Sequence, residues 1–541
     1  MDRSGSIQLR NCDTSILLAT FVMQRQRFLL IGLGLLTLWR LALLPVQELS
    51  PDEALIATRV HLGQWLGFEG CGPLLVWIVR LTTWIGGAGE MGVRMIAPFA
   101  ALWTSLLLWQ VSRRLYDAAV ASWSVVILNM VPAFNLIAVT LTPATVLNPF
   151  ILFGLLRMLG TRDAAAGRVD RWIASACLAA AVLVQPALIF GIVLVTLAWL
   201  GTPWSGYRQV LKSDWRKIGE VLLPMLVMVL VWVVWETRHG WPSGIDGGWT
   251  PCLYIAPNFL RWVVMVSPLL LTFLVLAALK SKDGGRGSFV LLFLLPMAAV
   301  DFFWGAWNRW PDGGAGLWVM FAAILLGYEA VTNAAVRTED RISLRTIAIV
   351  LAAVQSAFTL FSDQPRSLGL PWKFARQTTQ GSIYVRFFSA DPAAVMRGWR
   401  QTAALVGDIL KKSETPGQPP WFVIAEDWRL AAPLSHYLPA DAPCFTASAG
   451  HPRVQARQDE HSWDEPYSWW PRYDGLENGA CPYMAHPALY VTADPSNQPP
   501  PSIRRAFART EVISIARIMH GGQEVRTIKI FACYDYRPPE F

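Results

Sequence analysis

The chain has 541 residues, of which 54% are hydrophobic, only 16% are charged and 27 are tryptophan. Soluble domains carry charge on about a quarter of their residues, so this composition excludes an ordinary soluble globular protein. The apolar residues are concentrated in the first two thirds of the chain, in blocks long enough to cross a bilayer. The sequence therefore predicts a polytopic α-helical membrane protein.

About eleven apolar blocks have the length of membrane-spanning helices. They lie near residues 28–46, 94–111, 119–139, 143–159, 172–186, 187–200, 221–236, 262–279, 288–304, 314–333 and 345–361. The fifth and sixth blocks are short and meet at Gln185-Pro186. A proline at this position can divide one long apolar stretch into two helices.

Basic residues between the blocks predict the orientation of the chain. They cluster at the N-terminus, at Arg113-Arg114, and within residues 157–171, 208–217, 280–286 and 337–345. With eleven spans, all of these clusters fall on one side of the membrane. The N-terminus is therefore predicted to be cytoplasmic, the protein to lie in the cytoplasmic (inner) membrane, and the C-terminal part to be periplasmic or extracellular. The clusters account for the net charge of +8, so membrane lipids are expected partners and nucleic acid is not.

The first external segment, residues 47–93, begins with the acidic pair Asp52-Glu53. Carboxylates just outside the hydrocarbon could act as a general base toward a lipid headgroup. A Ser-Pro-Asp-Glu run is also an ordinary helix start, which is the simpler interpretation of the pair alone. Further along, residues 53–66 and 73–85 predict two amphipathic helices that lie in the membrane interface.

Two later external segments combine cationic and aromatic residues. Residues 236–262 include Arg238 and His239 next to tryptophans, and a shorter loop contains Arg309 between Asn308 and Trp310. These cations could contact an anionic headgroup, and the tryptophans also suit a plain interfacial belt.

The chain divides into two domains, a membrane domain over residues 1–361 and an external α/β domain over residues 362–541. In the second, hydrophobic runs shorten and proline and charge increase. Strands are predicted at 421–425, 488–491 and 524–534, and an amphipathic helix at 397–411.

The seven cysteines suggest little specific chemistry. Cys444 and Cys481 of the external domain are the favoured disulfide pair in an oxidising compartment, although spacing alone does not decide the pairing. No cysteine or histidine cluster has metal-ligand spacing, so neither a metal nor another cofactor is predicted.

A set of short motifs follows one order along the chain. The motifs are Asp52-Glu53, Gly67 to Leu74, Gly92-Val93-Arg94, Arg113 to Tyr116, Leu141-Thr142-Pro143, Trp235 to Pro242, Asn308 to Pro311, Gly398-Trp399-Arg400, Leu430-Ala431-Ala432 and His436-Tyr437-Leu438-Pro439. In this order the chain resembles the polyprenyl-phosphate-dependent glycosyltransferases of the dolichyl-phosphate-mannose–protein mannosyltransferase and aminoarabinose transferase type, family 39 of the GT-C class. The resemblance covers nearly the whole chain and implies a GT-C-like fold.

The resemblance also implies a reaction and a set of site residues. A sugar would pass, with inversion, from a polyprenyl-phosphate-linked donor to a lipid, glycan or protein acceptor on the external face. Asp52 occupies the position of the family's proposed base, Glu53 would orient the acceptor or the helix, and Arg94 matches a family arginine. The other candidates for substrate contact are His61, Glu69, His239 and Arg309.

Three departures from the family pattern keep a second hypothesis open. Cys71-Gly72-Pro73 stands where many members have Lys-Pro-Pro or His-Pro-Pro, Ala144 replaces an aspartate, and Gln185 replaces a lysine. A catalytically weakened relative that binds a lipid-linked sugar, or that supports another envelope enzyme, is the alternative to an active transferase. A transporter is disfavoured because the chain shows no convincing internal repeat.

Overall fold

The computed structural model describes most of both domains. The described residues are 26–68, 71–160, 167–185, 215–239, 266–280, 290–299 without 292, 315–332, 349–357, 396–447 without 415, 440 and 441, then 470, 473, 481–520 without 495, and 523–537. Among them, the part before residue 358 is helical, and the part from residue 396 combines helices with a sheet.

Among the helices before residue 358, those outside the segment 47–93 overlap the predicted apolar blocks. In chain order, the helices before residue 358 are α1 Gln26–Leu43, α2 Pro51–His61, α3 Pro73–Gly86, α4 Glu90–Arg94, α5 Ile96–Leu115, α6 Ala118–Met130, α7 Pro132–Ile137, α8 Pro143–Gly160, α9 Gly167–Val184, α10 Trp215–His239, α11 Pro268–Lys280 and α12 Ala315–Thr332. Helical residues also occur at 293–299 and 349–357. The predicted block 119–139 is divided into α6 and α7, because Pro132 cannot continue the first helix and begins the second.

Two stretches among the described helices could each cross a membrane by length and composition. These are Gln26–Leu43 and Glu90–Leu115, the second formed by α4 and α5 in succession; other apolar helices in the described part are shorter. The count of eleven spans therefore stays a prediction. The predicted block 187–200 lies outside the described residues, as does the boundary between residues 361 and 362.

Arg40 interrupts the apolar sequence of α1, and its side chain is buried inside the protein. Its guanidinium donates hydrogen bonds to the Oδ1 atoms of Asn129 (3.0 Å) and Asn135 (2.7 Å). It also lies over the ring of Phe134, 5.6 Å from the centroid. Ionisable groups within membrane helices generally face the protein interior and find polar partners there. Arg40 thereby ties α1 to α6 and α7.

We call the part of the chain from residue 396 the external domain, after its predicted location, and it is built around a five-stranded mixed sheet. Its elements are α13 Trp399–Ser413, β1 Phe422–Ala425, α14 Trp428–Tyr437, β2 Cys444–Thr446, β3 Ala488–Thr492, α15 Pro501–Ala506, β4 Phe507–His520 and β5 Gln523–Tyr536, and the strand order is β2-β1-β3-β5-β4. Strand β1 pairs in parallel with β2 and β3, and β5 pairs antiparallel with β3 and β4. Every residue of β1 and β3 is buried, as expected for strands covered on both faces. The predicted strands at 421–425, 488–491 and 524–534 and the helix at 397–411 are thus confirmed within two residues at each end.

The favoured disulfide is absent. Cys444 and Cys481 are both free thiols in the structure. Cys444 is buried in β2, where burial raises the pKa of its thiol to about 12 despite a hydrogen bond to Ser435 that lowers it. A thiol with so high a pKa is almost entirely protonated and is a poor nucleophile for disulfide exchange.

Candidate functional site

The acidic pair begins α2, and the structure confirms that Ser50 to Glu53 form a helix start. The Ser50 hydroxyl accepts the backbone N–H of Glu53 (3.3 Å), and the Glu53 carboxylate accepts the backbone N–H of Ser50 (2.9 Å). Pro51 occupies the first turn. This reciprocal capping box satisfies two helix N–H groups that would otherwise lack partners. The capping carboxylate is Glu53 and not its neighbour Asp52.

Glu53 forms a two-point ion pair with Arg94 at the end of α4. Arg94 Nε donates to Glu53 Oε1 at 2.7 Å, and its Nη2 donates to Oε2 at 2.5 Å. Each side chain is 1% exposed. The backbone N–H of Leu141, in the turn before α8, also donates to Oε1 at 2.7 Å. Glu53 therefore joins three separate parts of the chain at one buried carboxylate.

Arg94 uses its remaining N–H groups on the segment that precedes α2. Its Nη1 donates to the carbonyl of Gln47 (2.7 Å) and its Nη2 to that of Glu48 (2.8 Å). Together with the two bonds to Glu53, these contacts engage all three nitrogens of the guanidinium. Contact between Arg94 and a donor phosphate would require this arrangement to open, so that role stays a prediction, whereas a role in positioning Glu53 and α2 follows directly from the geometry.

Asp52 lies in the first turn of α2 and is half-buried, in contrast to its fully buried neighbour. The partial positive charge at a helix N-terminus favours a carboxylate at this position. Of the two carboxylates, Glu53 is held by capping and by Arg94, and Asp52 is the less buried one.

The loop after α2 is held by a second buried arginine, Arg59, which is 1% exposed. Its guanidinium donates to the carbonyls of Gly67 (2.7 Å) and Cys71 (2.9 Å), among others in the loop. Cys71 stands where the family often has a cation. Burial raises the pKa of its thiol, although the charge and the hydrogen bond of Arg59 act in the opposite direction. The chain therefore places a neutral, buried group at this position.

Gly72 permits a close approach between this loop and the end of α9. Its backbone N–H donates to the carbonyl of Val184 at 2.9 Å. A Cβ atom at residue 72 would lie 2.0 Å from the carbonyl oxygen of Leu183. A proline at residue 72, as in the family pattern, would lose this hydrogen bond and collide with α9. The contact with α9 therefore accounts for the glycine at this position.

The external domain contacts the same region through Tyr437, the last residue of α14. The Tyr437 hydroxyl donates to Glu90 Oε1 (2.9 Å) and accepts the backbone N–H of Leu49 (2.8 Å). Arg400 of α13 forms an ion pair with the same Glu90 carboxylate. Glu90 begins α4, so the external domain is attached to the helix that carries Arg94.

Two further bonds connect the external domain to the segment before α2 and to α2 itself. The backbone N–H of Trp399 donates to Glu48 Oε2 (2.5 Å), and the Thr58 hydroxyl donates to the carbonyl of Ala432 (3.5 Å). His436 lies in the same interface. Burial lowers the pKa of its imidazole; Glu90 and Glu53 oppose this shift, whereas His61 and Arg400 reinforce it. His436 of the external domain therefore lies within electrostatic reach of Glu53.

The remaining predicted site residues differ in their exposure and in whether the structure describes them. His61 is the last residue of α2 and is exposed. His239 is the last residue of α10, and its side chain lies outside the described part, as do Glu69 and Arg309 entirely. Ala144 is buried in α8, so this position offers no second carboxylate. The described residues contain no His, Cys, Asp and Glu cluster suited to a metal ion.

The site residues predicted from the sequence do not include Glu90, Arg400 or Tyr437. The last two lie in motifs that carried the family resemblance, Gly398-Trp399-Arg400 and His436 to Pro439. Those motifs were a usable signal, but nothing in the sequence indicated which residues of the membrane domain they contact.

Comparisons with known proteins show what this chain is similar to. Residues 71–235 match the family model described as dolichyl-phosphate-mannose-protein mannosyltransferase. A search of curated protein sequences gave no significant match. The predicted resemblance to the GT-C class is confirmed by this match together with the fold described next.

Among solved structures, the chain is similar to ArnT from Cupriavidus metallidurans. The apo structure shares 16% identity, covers 94% of this chain and 97% of that chain, and gives a TM-score of 0.53. The complex of the same protein with undecaprenyl phosphate shares 17% identity, with 93% and 97% coverage and a TM-score of 0.51. The Archaeoglobus fulgidus oligosaccharyltransferase in complex with Zn and sulfate shares 12% identity, with 77% and 62% coverage and a TM-score of 0.47. The similarity to ArnT shows that the chain has the fold of multi-pass GT-C membrane proteins with a C-terminal soluble domain.

Proposed function

We propose that the chain is a glycosyltransferase that uses a polyprenyl-phosphate-linked sugar donor on the external face of the cytoplasmic membrane. The observation that carries the proposal is the difference between the two carboxylates of the acidic pair. Glu53 is buried and fully engaged, and it holds Asp52 half-buried at the first turn of α2. The whole-length fold similarity to ArnT, which was solved bound to undecaprenyl phosphate, supports a lipid-phosphate donor.

In the proposed reaction, the Asp52 carboxylate takes the proton of an acceptor hydroxyl as that oxygen attacks the anomeric carbon of the donor sugar. The new C–O bond forms as the bond from the anomeric carbon to the phosphate oxygen breaks, and the phosphate leaves with the electron pair. A single displacement inverts the anomeric configuration. The acceptor is a lipid, a glycan or a protein.

The buried network supplies the rigidity that this step needs. General-base catalysis requires the base to lie within hydrogen-bond reach of the proton, about 2.6–3.2 Å between heavy atoms. Glu53 fixes the first turn of α2 to α4 through Arg94 and to the turn before α8 through Leu141. We assign Glu53 and Arg94 as positioning residues, and we propose His61, Glu69, His239 and Arg309 as further contacts for substrate and leaving phosphate.

A specific observation favours a second candidate function. Cys71 is a buried neutral thiol, and Ala144 offers no carboxylate, at two positions where the family has ionisable groups. The second candidate is a relative with weakened catalysis that binds a lipid-linked sugar or supports another envelope enzyme.

Mass spectrometry of envelope lipids and glycans tests both candidates. Cells lacking the chain are complemented with the wild type, with Asp52→Asn, or with Asp408→Asn, which removes an exposed carboxylate in α13. We expect a sugar-sized mass that the wild type and Asp408→Asn restore and Asp52→Asn does not, with equal amounts of folded protein in the membrane. Restoration by Asp52→Asn would reject Asp52 as the base, and the absence of any chain-dependent mass would favour the second candidate.

A further inference from the structure

Helix α3 exposes a continuous apolar face on the side away from the protein. Its inner face, formed by Leu75, Val76 and Val79, is buried. On the outer face, Trp77, Leu81, Trp84 and Ile85 recur at helical spacing, and Trp84 is 82% exposed. Large contiguous apolar patches of this kind are uncommon on protein surfaces in contact with water and mark interaction sites.

A shallow, open cleft lies on this face, which we call the α3 cleft. It has a volume of about 460 Å³ and is lined by Trp65, Trp77, Arg80, Leu81 and Trp84. The Arg80 guanidinium lies over the ring of Trp65 at 3.5 Å from its centroid. The indole N–H of Trp77 donates to the carbonyl of Trp65 at 2.9 Å, which fixes the loop carrying Trp65 against α3.

Arg80 is the charged group of the cleft. It is exposed at its rim, and the ion pairs found among the described residues give it no carboxylate partner. A guanidinium stacked on an indole keeps its edge N–H groups free to bind phosphate oxygens. The cleft thus offers one cation at the edge of an aromatic and aliphatic surface.

The position of α3 indicates what this surface meets. α3 ends at Gly86, and the apolar stretch Glu90–Leu115 begins four residues later. A helix so close to the end of a membrane span, with tryptophans and an arginine on its outer face, lies at the level of the lipid headgroups. A water-exposed site for a soluble protein partner would leave Trp84 and Ile85 in water whenever that partner was absent.

We propose that the α3 cleft binds an anionic glycerophospholipid of the bilayer. Its phosphate contacts the Arg80 guanidinium, and the first methylene groups of its chains lie against Trp77, Leu81 and Trp84. This proposal does not rest on the proposed transferase function, because the cleft is lined by none of the residues assigned to catalysis.

Native mass spectrometry of the purified full chain in detergent tests the proposal. The chain is titrated with phosphatidylglycerol or with phosphatidylcholine, as the wild type and as Arg80→Gln, and Arg505→Gln serves as a control that removes an exposed arginine of the external domain. We expect Arg80→Gln to weaken phosphatidylglycerol binding about five-fold, in line with the attraction of one surface arginine for anionic lipid. Arg505→Gln should bind like the wild type, and phosphatidylcholine binding should not depend on Arg80.

Further measurements in the same experiment distinguish a bound phospholipid from other ligands that carry phosphate. Trp84→Gln, at an exposed position that does not threaten folding, should weaken the binding of both phospholipids. Inorganic phosphate at the same concentration should not displace phosphatidylglycerol. Equal effects of Arg80→Gln and Arg505→Gln, displacement by inorganic phosphate, or preferential binding of undecaprenyl phosphate at the Arg80-dependent site would each overturn the proposal.

Discussion

Tyr437 of the external domain and Glu90 of the membrane domain are joined by a hydrogen bond of 2.9 Å from the phenol to the carboxylate. The same phenol oxygen accepts the backbone N–H of Leu49 at 2.8 Å. Leu49 lies in the segment that leads into α2, and Glu90 begins the helix that ends at Arg94. One side chain of the external domain therefore touches both chain segments that fix the acidic pair.

Tyr437→Phe should loosen the segment before α2 without unfolding either domain. Losing a hydroxyl that satisfies two partners costs about 1 kcal/mol, and it leaves the Leu49 amide without its acceptor. We expect hydrogen exchange of the Leu49 amide to become about five-fold faster, measured by mass spectrometry on the peptide that contains it. Tyr534→Phe is the matched control, because that phenol bonds the exposed Glu511. Equal Leu49 exchange in the wild type and Tyr437→Phe would contradict this role.

Glu53→Gln should destabilise the chain much more than Asp52→Asn, although each removes one negative charge from adjacent residues. Glu53→Gln leaves the Arg94 guanidinium buried without its counter-charge, a change that costs about 3–5 kcal/mol for a buried pair. Asp52 is half-buried and is not part of that pair. Thermal unfolding in detergent measures the difference.

The double variant Glu53→Gln with Arg94→Gln distinguishes a broken ion pair from a merely altered helix cap. Removing both charges eliminates the unpaired guanidinium, so the double variant should recover part of the stability that Glu53→Gln loses. If the two losses simply added, the ion pair would not be the source of the effect. The unfolding temperature of Asp52→Asn also serves the transfer assay. If this variant unfolds like the wild type, its loss of transfer activity does not come from a loss of fold.

The sequence predicted local structure well where the residues that determine it are neighbours in the chain. The capping box needs only Ser50 and Glu53, three residues apart, and the apolar lengths of α1 and of strands such as β1 are local properties. What it did not predict is the ion pair of Glu53 with Arg94 and the bond of Tyr437 to Glu90. These join residues that are far apart in the chain, and no pattern in one sequence reports which distant groups meet.

Arg40 and Arg94 show that the partners of a buried charged residue are equally hard to predict from the sequence. Both are arginines in or beside apolar stretches, and only Arg94 was predicted from the sequence to contact substrate. In the structure both are buried and bonded to protein groups, asparagine oxygens for Arg40 and a carboxylate for Arg94. Burial and the choice of partner depend on helix packing, which periodicity alone does not contain.

His436 should make stability depend on pH below neutrality. Burial lowers the pKa of its imidazole below the ordinary value of 6.5, with Glu90 and Glu53 opposing and His61 and Arg400 reinforcing the effect. As pH falls below 6.5, the unfolded chain therefore takes up a proton that the folded chain does not, and stability falls. The slope contributed by this group is at most about 1.4 kcal/mol per pH unit.

Thermal unfolding at several pH values between 8 and 5 measures this contribution. His436→Gln should unfold with a shallower pH dependence than the wild type, and the two curves should converge in shape above pH 7, where the imidazole is neutral in both states. Parallel curves over the whole range would show that His436 does not titrate differently in the folded and unfolded chains.

Gly72→Ala should destabilise the chain because α9 leaves no room for a side chain at residue 72. The added Cβ atom would lie 2.0 Å from the Leu183 carbonyl oxygen, and that atom belongs to the backbone, so it cannot rotate away. Separating the loop from α9 also lengthens the hydrogen bond from the Gly72 N–H to the Val184 carbonyl. Overpacking of this kind costs about 1–3 kcal/mol.

Gly32→Ala is the control, since a Cβ atom there meets nothing within 4 Å. In an open helical position alanine is favoured over glycine by up to about 1 kcal/mol, so this variant should unfold at the wild-type temperature or slightly above it. Gly72→Pro, which restores the family's proline, should be worse than Gly72→Ala because it also removes the N–H that Val184 accepts. If Gly72→Pro instead unfolded at the wild-type temperature, the close approach to α9 would not explain why glycine replaces the family's proline at residue 72.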